Sequence, residues 1–221
     1  MQIYPSILEP DSPSLLHTIS RYVGHFEKIQ IDFVDNILTH GSTIGIDEFI
    51  VLVRKNTEVF SQFAYEFHLM VEDFLSYFEK LENSELKIST VLIHVASNKF
   101  ENNFESLSKL LQEKEIQLGL VLNPQDSIER WKKYIWQVNR VQLMTVYPGK
   151  QGSPFLPHVM EKIDQIREMG WKGEIELDGG INEKTLGFIE MRKNLPNIVC
   201  PGSWLKNYIN LDEFKLKYPS S

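Results

Sequence analysis

The sequence predicts a single (β/α)8 barrel of the TIM type spanning residues 1–221. Three observations predict it. Short branched-apolar runs alternate with segments of helical period eight times along 221 residues. No Pro/Gly/Ser-rich linker divides them, and polar residues recur at the C-terminal ends of the runs, where such barrels assemble their sites. With 42% apolar residues the chain can fill one sizeable core. The same periodicity also fits a doubly wound open sheet; the count of eight favours the barrel.

Taken in order, Ile3 to Leu8 forms a short buried strand. Asp11-Ser12-Pro13 then supplies a helix cap with a proline in the first turn, and Leu16, Ile19 and Val23 recur at helical spacing up to a stop near Gly24. Lys28 to Asp32 is the second strand, and Ile46, Phe49, Ile50 and Val53 mark its helix. Phe63 to Met70 is the third, followed by Phe74, Phe78 and Leu81; Val91 to His94 is the fourth, followed by Phe104, Leu107 and Leu111. Gln117 to Leu122 is nearly all apolar, as a strand covered on both faces should be, and Asn123-Pro124 ends it. Ile128, Trp131 and Ile135 make the next helix face. Arg140 to Thr145 is the sixth strand, and a turn-rich loop runs from Tyr147 to Gly152. Ser153 and Pro154 start a helix with Phe155, Val159, Ile163 and Ile166 on one stripe, ending where Gly170 offers a left-handed cap. Glu174 to Asp178 is the seventh strand, turned sharply by Gly179-Gly180. A helix from about Glu183 and a last strand, Asn197 to Cys200, complete the series.

Composition excludes several function classes. A formal net charge of −7, with no Lys/Arg-rich face to offset it, argues against nucleic acid or an anionic membrane as partner. The one cysteine, Cys200, cannot form an internal disulfide and reads as strand packing. The N-terminus resembles neither a signal peptide nor a transit peptide, and no apolar run approaches the roughly 20 residues of a membrane span. A cytoplasmic protein is expected.

Ser6, Asp32, His68, His94, Met144 and Asp178 all fall at strand ends, which a barrel would gather at one mouth. Asp32, His68 and Asp178 form a mixed imidazole and carboxylate set that suits a divalent ion: zinc, iron, manganese or cobalt. Gln30, two residues before Asp32, points to the same side of its strand. Two carboxylates across a pocket also suit a two-base proton exchange beside a carbonyl. Glycine-bearing loops follow the last three strands: Gly149 and Gly152, Gly179 and Gly180, and Gly202 with Ser203. Adjacent in a barrel, their accessible amides would hold a phosphate. Lys150 could add a charge there, and His94 reads as a pocket-wall or core residue.

Six segments, in order, resemble the ribulose-phosphate 3-epimerase family: Pro5-Ser6-Ile7-Leu8, Ile31-Asp32-Phe33-Val34-Asp35, His68-Leu69-Met70-Val71, Gly119-Leu120-Val121-Leu122-Asn123-Pro124, Met144-Thr145-Val146-Tyr147-Pro148-Gly149 and Asp178-Gly179-Gly180-Ile181-Asn182. The resemblance implies interconversion of D-ribulose 5-phosphate and D-xylulose 5-phosphate at carbon three. By resemblance, Asp32 and Asp178 are the acid/base pair and metal ligands, and His68 is a further ligand. Ser6 touches substrate hydroxyls, Met70 and Met144 line an apolar floor, and the glycine loops hold the phosphate. Homo-oligomeric assembly is also implied.

The chain departs from that family around the pocket. The family's histidine ligand two residues before the first aspartate is Gln30, and an amide oxygen is a poorer donor than imidazole for zinc or iron. The loop after the second strand reads Asp35-Asn36-Ile37-Leu38-Thr39-His40-Gly41, that after the sixth strand Pro148-Gly149-Lys150-Gln151-Gly152-Ser153, and Ala96 stands where a glutamate is expected. Two alternatives therefore stay open: a protein that binds a sugar phosphate without full catalysis, and an epimerase of a six-carbon ketose phosphate such as allulose 6-phosphate.

Overall fold

The computed structural model describes residues 1–148 and 153–219. Nine parallel strands make one sheet: β1 (Gln2–Ile3), β2 (Ser6–Ile7), β3 (Lys28–Val34), β4 (Ala64–Met70), β5 (Lys87–His94), β6 (Gln117–Leu122), β7 (Arg140–Met144), β8 (Glu174–Asp178) and β9 (Ile198–Cys200). Their order is β1-β9-β8-β7-β6-β5-β4-β3-β2. Since β1 and β2 are consecutive pieces of the first expected strand, the ends of this order meet, and eight staves close a barrel. Pro5 separates the pieces without breaking the stave. The amides of Gln2, Tyr4 and Ser6 donate to Asn197, Val199 and Pro201, while the Pro5 carbonyl accepts from Gln30 on the other side. The missing proline N–H falls between the β9 bonds, so the ladder that closes the barrel loses none of them.

Strand alternation sorts the side chains into two populations. Ile29, Ile31, Phe33, Tyr65, Phe67, Leu69, Val91, Ile93, Leu120, Val141, Leu143, Ile175 and Leu177 face outward into the main core, packed under the helices. A small apolar cluster, Leu92, Val121, Met144 and Val146, is separate from it. Gly119 keeps β6 close to its neighbours there, because a Cβ would lie 2.3 Å from Leu92 Cδ2. The rest of the barrel interior is unusually polar. Buried Arg140 pairs with Glu66, Glu174 and Glu176, and Cys200 Sγ donates to Glu176 Oε1 at 2.8 Å.

Two helix expectations shift. In α1 (Ser12–Tyr22), capped by Asp11, the buried stripe is Leu15, Thr18, Ile19 and Tyr22, and Val23 is exposed. Leu16 and Val23 flank this stripe because Tyr22, not Val23, turns inward beside Ile19. No helix begins at Ser153. Residues 153–156 have no regular secondary structure, a 3₁₀ turn with proline in its first turn covers Pro157–Met160, and α-helix follows over Glu161–Glu168. Leu156 N donates to Thr145 O at 2.7 Å, which ties this segment to the residue after β7 before a helix can start.

Candidate active site

The alternation that places apolar residues outward also points Gln30 and Asp32 from β3, His68 and Met70 from β4, His94 from β5, Gln142 and Met144 from β7 and Asp178 from β8 into the barrel. Parallel register then sets Asp32 beside His68, Met144 beside Asp178, and Asp178 beside Cys200. Residues far apart in sequence therefore converge at the C-terminal rim.

The centre of the arrangement is His68, fully buried. Its Nδ1 lies 3.1 Å from Asp32 Oδ1 and 3.3 Å from Asp178 Oδ2. The Gln30 amide nitrogen lies 2.7 Å from Asp32 Oδ1, 3.1 Å from Asp178 Oδ2 and 3.4 Å from His68 Nδ1. Ser6 Oγ donates to Asp32 Oδ2 at 2.7 Å. On its other edge, His68 Nε2 sits 2.8 Å from His94 Nε2, with the rings stacked at 5.0 Å.

Electrostatics sharpen the arrangement. Burial lowers the proton affinity of His68, but hydrogen bonds to Asp178 and Asp32 and their charges outweigh it and lift its pKa to about 10. Burial raises Asp178 above the ordinary carboxylate value, opposed by the His68 hydrogen bond and assisted by the charge of Asp32. His94 is pushed well below its ordinary value by burial and then by the charge of His68. The neutral ring of His94 can accept the Nε2 proton of His68, which leaves His68 Nδ1 turned toward the carboxylates.

The donor atoms of Asp32, His68 and Asp178 lie within 4.8 Å of one another. Around an ion with bonds of about 2.1 Å, neighbouring ligand atoms sit roughly 3.0–3.4 Å apart. The spacings of 3.1 and 3.3 Å between His68 Nδ1 and the two carboxylates match that, so these buried groups can hold a divalent cation.

Above this layer a pocket opens, lined by Ser6, Asp32, Met70, Met144, Asp178, Gly179, Gly180, Cys200, Gly202 and Ser203, together with Leu8, Val146, Pro148, Ser153 and Ile181. All of the expected site residues among the described ones line it except Gln30 and His68, which lie beneath. Gly149 and Gly152, and with them Lys150, lie outside the described residues. Gly179 has φ 110°, and a Cβ there would lie 2.4 Å from Val146 Cγ2, so only glycine fits the turn. Thr145 Oγ1 donates to the carbonyls of Asp178 and Gly179 at 3.0 and 2.5 Å, holding the end of β8 in place. Asn182 and Thr185 form a capping box that starts the helix over Glu183–Glu190 just behind it. Across the mouth, Thr39 Oγ1 donates to Pro148 O at 2.8 Å, linking the loops that follow β3 and β7.

One member of the site, Gln142, has no place in the expected set, and a second sits closer than expected: His94, expected at the pocket wall or in the core, touches His68 directly. Gln142 lies within the sixth strand, and its amide nitrogen is 3.0 Å from Asp178 Oδ2 and 3.4 Å from His68 Nδ1. The alternation of β7 with Met144 was the one available signal.

The model of the ribulose-phosphate 3 epimerase family matches residues 2–201. The chain is 31% identical over 209 residues to the ribulose-phosphate 3-epimerase of Helicobacter pylori strain 26695, covering 93% of this chain and 90% of that protein. It is 28% identical over 191 residues to the enzyme of that name from Bacillus subtilis strain 168, covering 84% and 83%. Among solved structures, 3-hexulose-6-phosphate synthase from Salmonella typhimurium superposes with TM-score 0.68 at 13% identity over 96% of this chain and 94% of that one. The tryptophan synthase alpha subunit from Legionella pneumophila does so with TM-score 0.60 at 13% identity, over 98% and 86%. These two likenesses carry the barrel fold alone. The family match over nearly the whole barrel, with the H. pylori relative, shows that this chain belongs to the ribulose-phosphate 3-epimerase family of isomerases.

Proposed function

We propose that this pocket epimerises a ketose phosphate at carbon three, interconverting D-ribulose 5-phosphate and D-xylulose 5-phosphate. The observation that carries the reading is the meeting of two carboxylates, Asp32 and Asp178, on one buried imidazole beneath a pocket that both line. Asp32, oriented by Ser6 and Gln30, is placed to take the proton from carbon three on one face. Asp178, held toward its protonated form by burial, returns a proton on the other, and the roles exchange in the reverse direction. A divalent ion held by Asp32, His68 and Asp178, whether zinc, iron, manganese or cobalt, would supply positive charge beside the enediolate oxygens. Met70 and Met144 keep water from the planar carbon, and the amides at Gly179, Gly180 and Gly202, with Ser203, take the phosphate.

The test is NMR of ribulose 5-phosphate in deuterated water with each metal in turn. Deuterium entering carbon three as xylulose 5-phosphate forms is the expected outcome. Asp178→Asn should lower that exchange about 10²–10⁴-fold with an unchanged circular dichroism spectrum, and full turnover in this variant removes Asp178 from the mechanism. Gln30, an amide where a second imidazole is expected, favours a second reading in which the sugar phosphate binds without exchange. Exchange with allulose 6-phosphate alone would instead assign a six-carbon substrate.

A further inference from the structure

Two glutamine amides, not one, close on the Asp32, His68 and Asp178 donors. Gln30 comes from β3 and Gln142 from β7, and both side chains are fully buried. Each presents its terminal nitrogen: Gln30 to all three residues, Gln142 to Asp178 at 3.0 Å and to His68 at 3.4 Å. Each also leaves its carbonyl oxygen, Oε1, buried with no donor. A buried carbonyl without a donor is costly, and here two recur on opposite sides of one cluster. Such an oxygen is a ready ligand for a cation. The last torsion of a glutamine is broad and roughly two-fold, so a half-turn exchanges oxygen for nitrogen without moving the rest of the side chain.

We propose that Gln30 and Gln142 are paired cation ligands. A half-turn of each amide brings both carbonyl oxygens onto the Asp32, His68 and Asp178 donors, giving one nitrogen and four oxygens. This rests on the reading that those three residues hold a divalent ion. A set with a single imidazole and no thiolate suits hard, oxygen-preferring ions, manganese or magnesium, and lacks the nitrogen donors that strengthen zinc binding. Gln142 is thereby a ligand in its own right rather than part of the pocket wall. The pair of amides, reaching in from strands on different sides of the barrel, sets which metal the site takes.

Calorimetric titration of the chelator-stripped full chain with manganese and with zinc tests this without substrate. Gln142→Leu should weaken manganese binding about 10-fold or more, whereas Gln142→Glu, which keeps an oxygen donor at the same reach, should retain it. Gln30→His should raise the ratio of zinc to manganese affinity by about 10-fold. In the ¹⁵N-labelled wild-type chain the side-chain amide signals of both glutamines should move on adding magnesium. Manganese affinity in Gln142→Leu within about twofold of wild type, or equal losses in Gln142→Leu and Gln142→Glu at matched circular dichroism, overturns the proposal. So does a chain that binds no divalent ion. The deuterium-exchange assay answers separately for the epimerase reading, which survives if exchange proceeds while Gln142 proves irrelevant to the metal.

Discussion

At the scale of single residues, the barrel floor is as demanding as the mouth. Arg140 is buried among Glu66 and Glu176, with Glu174 at the edge and the Tyr4 ring 5.7 Å away. Removing one partner of a buried ion pair strands the rest, so Arg140→Met should cost about 3–5 kcal/mol in urea unfolding. Glu66→Gln should be far milder. Burial, and then the charge of Glu176, raises the Glu66 carboxyl well above its ordinary 4.5, against the pull of Arg140. Its folded-state proton is therefore held more tightly than in the unfolded chain. That contribution is complete below pH 4.5 and is lost as pH rises through the folded value. Glu66→Gln should flatten that fall, read as the urea midpoint against pH; an unchanged slope would move the effect to another group. The aspartates and His68 were legible because a charged residue at the end of an apolar strand has few structural uses. Gln142, and the contact of His94 with His68, were not, since one sequence shows which face of a strand a residue takes but not what stands beside or across the barrel from it.

At the scale of elements, the faces of strands were read more accurately than their lengths: the fourth strand, expected from Val91, begins at Lys87. A strand's two-residue period admits only two registers, whereas a helical stripe can slip by one residue, as Leu16 and Val23 did beside Leu15 and Tyr22. The misplaced helix start at Ser153 has a different cause: the tertiary bond from Leu156 to Thr145 overrides local propensity. The turn after β8 was legible from its two glycines, and its constraint can be measured. Gly179→Ala puts a Cβ into the Val146 side chain at a positive φ and should cost about 1–3 kcal/mol. Adding Val146→Ala should return only the steric part. Full recovery in the double variant would show that φ contributes nothing.

At the scale of the whole molecule, closure was implied by the count of eight strands, but its manner was not. The seam is made by two-residue pieces on either side of Tyr4 and Pro5, pairing with β9 and β3 respectively. Deleting residues 1–7 should expose both edges. The expected outcome is loss of the monodisperse species in size-exclusion chromatography and of a single cooperative unfolding step. A deletion variant that stays monodisperse and unfolds in one step would mean that β3 and β9 can pair directly. No helix among the described residues is long and apolar enough to cross a membrane.

That seam also bears on how the chain is made. Gln2 pairs with Ile198, so the ribosome releases one partner of the seam long before the other. Until then the nascent polypeptide is an open curl of sheet with two adhesive margins. Any product of stalled translation ending before β9 would carry both margins permanently.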